Sequence, residues 1–400
     1  MLVFGLVVLG LALRGMSSEE RVRFGKTILA GLRFIRNSIT KPPSGGESFY
    51  AALKARTKWA FVTPSIVGAY AVVFLLLVIG SGDLSDPRTL VDGGGNIGVR
   101  TTNGEWWRLF TAMFVHDGLL HLIAAIAGIA QVGLLVERLV GRLAFAVVYV
   151  ASGVLVGIWH LNLHPVSVHA GAAGATFGVY GLLLASLLLG VAQRSTLTVP
   201  VPVLKGLWPG ATLFVAYNML TDGMVSDAMQ AGLVVGFIGG LLIAVRVISD
   251  KPPVRRVLAV SAATAAIVVV LAAPLRGLSD VSSEVARFAA TEERTSRSYD
   301  QAVDRFKRGR ASAQELATIA DAILSELQAL HAGLGSLDNV PPEHLPMLNK
   351  ASEYLASRQA SWRLRAEGLR AGRPQTLQQA DAAEQLAKAA LASAVEYTQR

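Results

Sequence analysis

The sequence predicts an all-α, polytopic membrane protein: a six-helix membrane bundle, a seventh span, and a soluble helical bundle at the C-terminal end. Three observations carry this. Hydrophobic residues make up 52% of the 400 and charged residues 16%, whereas a soluble domain is about one quarter charged. Several apolar stretches approach the roughly 20 residues that cross a bilayer as a helix. From about Ser279 the composition shifts to Ala, Glu, Gln, Leu and Arg, with apolar residues at helical spacing. The mean hydropathy of +0.47 agrees with the first two.

Met1 to Leu13 is apolar but short for a span, so it reads as an interfacial anchor, a short span or a signal-like segment. Arg14, Gly15 and Met16 after it make a poor cleavage site. Ser17 to Ile39 follows as an amphipathic helix, with Ser17 or Ser18 as cap and Glu19 and Glu20 in its first turn. Its basic face (Arg21, Arg23, Lys26, Arg33, Arg36) suits either an anionic leaflet or packing on its own domain. The spans that follow are expected near 60–80, 109–135, 143–161, 172–192, 207–221, 229–247 and 257–274. Alternate loops carry Arg138 and Arg142, then Arg194 and Lys205, then Arg246, Lys251, Arg255 and Arg256, while His160 to Ala170 holds no Lys or Arg. Basic loops face the cytoplasm, and a seventh span then puts the C-terminal region on the extracytoplasmic side of a cell (inner) membrane. There, helices are expected near 279–308, 312–334, 342–371 and 375–398, broken at Gly309, Gly333 to Gly335, Pro341-Pro342 and Gly372 to Pro374. The domain reading is thus 1–58, an N-terminal hydrophobic segment and basic amphipathic helix; 59–248, the membrane core; 249–277, a linker and the seventh span; and 278–400, the soluble bundle. The Ala-, Val- and Arg-rich usage points to a bacterial source.

The chain has no cysteine, which excludes disulfides, thiolate nucleophiles and cysteine-zinc sites. Its net charge of +9 lies largely beside apolar segments, where it orients helices in a lipid bilayer, so nucleic acid is not an expected partner. His160, His164 and His169 cluster with Ser167 in one loop. No carboxylate lies between Glu137 and Asp222 to complete a usual zinc site, so neither a metal nor a cofactor is expected. Ser167 with His169 or His164 stays open as a hydroxyl–imidazole pair.

Three segments carry a resemblance. Gly104-Glu105-Trp106-Trp107-Arg108, continuing through His116 and His121-Leu122, is similar to the first-loop and second-helix signature of rhomboid intramembrane serine proteases, a Trp-Arg pair followed by H-x-x-x-x-H-L-x-x-N. Gly171-Ala172-Ala173-Gly174-Ala175-Thr176-Phe177-Gly178 is similar to that family's G-A-S-G-A-x-F-G. Gly236-Phe237-Ile238-Gly239-Gly240 is similar to the tail of H-x-G-G-F-I-G-G. The resemblance covers about 60–247 and implies a rhomboid-like six-helix core in which a serine attacks a peptide carbonyl and a histidine accepts its proton. It departs at the decisive positions. Ala173 stands at the nucleophile and Ala125 at the oxyanion asparagine, and Leu233 falls at the histidine when Gly236 to Gly240 are anchored. Anchoring on Asp227 shifts that position towards Ala231 or Gly232, yet residues 222–247 contain no histidine either way.

His116 is retained. Trp106, Trp107, Arg108, His116 and His121 are the expected client or loop contacts, with an aromatic belt and a snorkelling arginine as the plainer role for the first three. Gly171, Gly174 and Gly178 on one span and Gly236 and Gly240 on another make facing small surfaces for close helix packing. The resemblance therefore implies a rhomboid pseudoprotease that holds or scaffolds transmembrane helices of clients, with a soluble or membrane partner for the C-terminal bundle. A working serine protease with a displaced nucleophile, and a structural subunit of a larger membrane complex, are the alternatives.

Overall fold

A computed structural model describes residues 46–80, 83–193, 199–221, 223, 226–244 and 252–398. The expected segments Met1 to Leu13 and Ser17 to Ile39 lie outside them. The chain divides into two compact units that part between Arg276 and Gly277.

In the first unit a short helix, α1 (Glu47–Arg56), precedes the six helices of the core. These are α2 (Val62–Gly80), α3 (Leu119–Val140), α4 (Arg142–Leu163), α5 (Ala173–Ala192), α6 (Val201–Thr221) and α7 (Asp227–Ala244). The seventh is α8 (Val254–Ala272). Five of these seven, α2, α3, α4, α5 and α8, are long and apolar enough to cross a membrane. In α6 the sequence is diluted by Lys205, Pro209, Tyr217 and Asn218, and the apolar run of α7, Asp227–Ile243, falls short of full span length. Both belong to the bundle by packing, because α7 lies against α5 and α6 against α3. This is the rhomboid-like polytopic architecture the sequence predicts.

The second expected span, 109–135, begins later than predicted. Residues 108–114 form two short turns of helix, Arg108–Thr111 and Ala112–Phe114, and Gly118 in an extended conformation separates them from α3 at Leu119. The Trp106 to His116 stretch therefore precedes α3 as two short turns and their flanking loop.

α2 buries one stripe, Thr63, Ile66, Tyr70, Phe74 and Leu77, at three- and four-residue spacing, and packs it on α3. Its start is fixed by a carboxylate from the far end of α3. Glu137, fully buried, accepts the backbone N–H groups of Phe61 (2.8 Å), Val62 (2.9 Å) and Thr63 (2.8 Å), and the Thr63 hydroxyl at 2.8 Å. Those N–H groups have no partner within their own helix, so a charged acceptor there satisfies them and complements the helix dipole. Deeper in the bundle the Tyr70 and Tyr149 hydroxyls meet at 2.6 Å and tie α2 to α4.

The second unit holds α9 (Val281–Lys307), α10 (Ala313–Gly335), α11 (Leu345–Ala371) and α12 (Pro374–Thr398), each helix neighbouring the next. Asp280 and Ser312 cap α9 and α10 through Ser283 N–H and Glu315 N–H. Its own core includes Phe288, Tyr299, Leu316, Ile323, Leu327, Tyr354, Leu355 and Trp362. Arg358 is buried inside it, bonded to Glu292 and 3.5 Å from Glu384.

Candidate functional site

Arg108 organises the loop that leads into α3. Its side chain is 2% exposed. The guanidinium donates to the carbonyls of Val91 and Gly95 (3.0 Å) and pairs with Glu105 at 2.5 Å. A planar fork of donors suits this convergence of two backbone carbonyls and one carboxylate. Trp107 packs over the guanidinium, 4.6 Å from its centroid, and is half exposed. Asn96, fully buried, crosslinks the same loop: its Nδ2 donates to Gly157 O (3.0 Å), and its Oδ1 accepts from the Thr101 hydroxyl (2.7 Å). Asn96 and His169 exchange both backbone bonds, at 2.9 and 2.8 Å. Among the described residues this bridge is the sole extended pairing. Arg108 is thus an internal staple, not a snorkelling interfacial residue.

His116 is fully buried between Tyr70 and His121, each ring centroid 4.8 Å away, with Nδ1 3.1 Å from Phe114 O. Burial, then the neighbouring His121, pushes its pKa down to about 3. His121 bonds Asp117 through Nδ1 at 2.7 Å and stacks on Tyr217 of α6 at 5.2 Å. That hydrogen bond lowers the Asp117 pKa.

Ala173 is the first residue of α5 and is buried. It packs with Phe177 and Phe214, and Ala228, Met229 and Leu233 of α7 lie against the same cluster. The residues that α7 brings to this cluster therefore carry neither a hydroxyl nor an imidazole. Ala125 is buried in the main core of the bundle. Phe214 sits over Gly128 of α3, where a Cβ would collide with its ring, and 4.8 Å from the Phe177 ring. A Cβ on Gly210 would likewise overlap the Ala127 carbonyl. The α3–α6 seam is thus tightly closed.

Glycines of α5 and α7 face one another, Gly171 excepted. A Cβ on Gly236 would overlap the Gly178 backbone, one on Gly232 would fall 2.5 Å from Gly174 O, and one on Gly240 would meet Ala185 and Leu182. Gly171 lies off this seam. Its φ of +118° demands glycine, and a Cβ there would meet the His121 ring at 2.7 Å. Gly181, also on α5, is equally constrained by the backbone of Leu233 and Phe237.

At the end of the bundle where α5 begins lies a cavity of about 420 Å³ lined by Asp117, His121, His160, His164, His169, Tyr217, Asn218, Asp227 and Ala173, among others. Burial, then His160 and His121, pushes the His169 pKa down to about 3. The serine–imidazole contact in this region differs from both expected pairings. Ser167 Oγ lies 2.8 Å from His160 Nε2, because the turn closed by Ser167 N–H on His164 O (3.2 Å) folds it back over the last turn of α4. His164 instead faces Asp227 at 3.7 Å. Among the described residues no group of three or more His, Cys, Asp or Glu side chains is placed to hold a metal ion.

Sequence reasoning missed Asn96 and Glu137. A polar residue inside a glycine run, and a lone acid in the last turn of a span, are the signals that mark them.

Residues 103–250 match the Rhomboid domain family model. The chain is 29% identical over 227 residues to "Rhomboid protease GluP" of Bacillus subtilis, covering 57% of this chain and 42% of that protein. It is 36% identical over 124 residues to "Putative rhomboid protease YdcA" of the same organism, covering 31% and 61%. A third relative, 33% identical over 99 residues (24% and 27%), is "Inactive RHOMBOID-like protein 8" of Arabidopsis thaliana. The chain thus spans 42% and 61% of the lengths of the first two relatives. These matches make residues 103–250 similar to the Rhomboid domain, and the several apolar helices fit a multi-pass membrane protein.

Proposed function

We propose that residues 59–248 form a catalytically silent rhomboid core that engages transmembrane helices of client proteins without cleaving them. The observation that carries this is the setting of Ala173: the place the resemblance gives to a nucleophile is a methyl group in an apolar cluster of Phe177, Phe214, Ala228, Met229 and Leu233. Nucleophilic catalysis needs a hydroxyl or thiol within hydrogen-bond reach of a base; the one hydroxyl in this cluster, on Tyr180, donates to Gly128 O at 3.0 Å, and the cluster holds no base. What remains is a scaffold whose helices approach closely through Gly174, Gly178, Gly232 and Gly236. Clients would enter by parting the α3–α6 seam, which is closed in this structure, near Trp106, Trp107, His116 and His121, while Arg108 keeps the loop in shape. In this reading the protein lies in the cell membrane of a bacterium, with the bundle at 278–400 on the extracytoplasmic side as a second partner site.

The test is purified full-length protein incubated with a model transmembrane substrate and with a fluorophosphonate probe. Neither cleavage nor labelling is expected. In-membrane crosslinking should capture a spread of single-pass proteins; one stoichiometric complex would instead favour a structural subunit. The name of one relative, an inactive rhomboid-like protein, is consistent with this reading, and that of another, a rhomboid protease, is not.

One observation favours a second reading, a protease with a displaced nucleophile: the Ser167–His160 contact at 2.8 Å. Cleavage that disappears in both Ser167→Ala and His160→Ala, each tested alone, would establish it. Against it, Ser167 is not among the residues lining the cavity beside Ala173.

A further inference from the structure

Residues 277–400 carry 15 Lys and Arg against 16 Asp and Glu, yet these charges are sorted by end. Cross-helix contacts fix which residues share an end. Arg305 of α9 meets Glu315 of α10 at 3.5 Å, and Arg370 of α11 pairs with Asp321 of α10. The turns at 308–312 and 371–374 therefore lie together. At the other end, Ser279 N–H bonds Asn339 O, bringing the connection from α8 beside the turn at 336–344. That end holds Asp280, Asp338 and Glu343. The end opposite that connection holds Lys307, Arg308, Arg310 and Arg373, all exposed and none in an ion pair among the described residues. Arg305 and Arg370 are neutralised by Glu315 and Asp321, and the further acids nearby are Asp304 and Glu367. Amid the cations stands Phe306, 42% exposed, a large apolar ring without cover.

We infer that this tip, Arg305 to Arg310 with Arg373, is a docking surface for an anionic phospholipid bilayer. Three features argue for lipid over an acidic protein. Cations around a surface-exposed aromatic ring match a membrane interface, where headgroups take the charge and the ring enters the headgroup–acyl boundary. Each Lys or Arg near an anionic surface contributes on its own, so the loose, unpaired arrangement is sufficient without a carved pocket. The bundle also follows an apolar helix long enough to cross a membrane, with only residues 276–280 between, so a bilayer is always within reach. α9 is about 40 Å long at 1.5 Å per residue, so docking the distal tip would lay the bundle along the surface.

The chain has no cysteine, which allows single-site labelling of the full-length protein. Ala311→Cys beside the tip and Ser336→Cys at the opposite end would each carry an environment-sensitive fluorophore. Each protein is placed in phosphatidylcholine nanodiscs with or without phosphatidylglycerol, and with nitroxide-bearing lipid as quencher. The expected result is a blue shift and quenching at Ala311→Cys only when phosphatidylglycerol is present, with no change at Ser336→Cys. The response should vanish in about 1 M salt, where the Debye length is about 3 Å, and in a K307E/R308E/R310E background. An unchanged thermal midpoint in that background shows that the bundle is still folded, since all three side chains are exposed. Emission indifferent to phosphatidylglycerol, or an equal response in the charge-reversed protein, overturns the inference. A label that responds to an added acidic protein but not to anionic lipid overturns it in favour of a protein partner.

Discussion

Arg108 shows how one side chain can gather the carbonyls of a loop. Removing it leaves the Val91 and Gly95 carbonyls and the Glu105 carboxylate to find new partners, two of the three bonds being buried. Arg108→Ala is therefore expected to cost about 2–4 kcal/mol, within the range for loss of buried charge-assisted bonds. Arg108→Lys should recover less than half, because an ammonium cannot reproduce the planar fork. Thermal unfolding in detergent measures both. The histidines make a second prediction. His116 and His169 have folded pKa values near 3 against 6.5 for an unperturbed imidazole. Between those values the unfolded chain binds more protons, so stability is complete above about pH 6.5 and falls as pH drops towards 3. The lowered Asp117 pKa acts in the same direction. The thermal midpoint should decline from pH 7.5 to 4.5, and His169→Gln should flatten that decline. At this scale the motif residues were legible because they are close in sequence. Asn96 and Glu137 were not, because their partners lie 61 and 74 to 76 residues away.

At the scale of elements, α5 and α7 are joined by backbone proximity. Gly181 and Gly236 sit where a Cβ would enter the other helix's backbone, and backbone cannot move aside as a flexible side chain can. Gly181→Leu is expected to prevent recovery of monodisperse protein. Gly190→Ala, on the same helix with nothing within 4 Å, should be neutral or stabilising by about 0.5–1 kcal/mol. Size-exclusion profiles and thermal midpoints of the pair separate a specific seam from general intolerance of α5. The G-x-x-x-G spacing made this contact readable in advance. The start of α3 was not readable, since an apolar run from Leu109 to Phe114 looks the same whether it begins a span or folds into two short turns. The extended Gly118 separates the two turns from α3, and Ala112 O is held by Gly171 N–H from the segment before α5. The Ser167 partner was misjudged for a similar reason, because a tight turn exchanged the neighbour in sequence for one a helical turn below.

For the molecule as a whole, composition changes near Ser279, and the two compact units part between Arg276 and Gly277. Each has its own hydrophobic core, one around Tyr149, Phe145 and Leu182 and the other around Leu327, Leu355 and Trp362. A separate core is what allows a unit to fold without its neighbour. Truncation near Leu278 is accordingly expected to leave 1–277 folded, with a thermal midpoint in detergent close to that of its transition in the full chain. The same truncation divides the proposed interactions. If client helices are met by the rhomboid-like core, crosslinked single-pass proteins persist in the truncated form, and only soluble partners disappear. If every partner disappears while the core remains folded, recognition belongs to the bundle, and the core serves as its anchor. A truncated protein that cannot be recovered folded would show that the two units stabilise each other, contrary to the independence their separate cores imply.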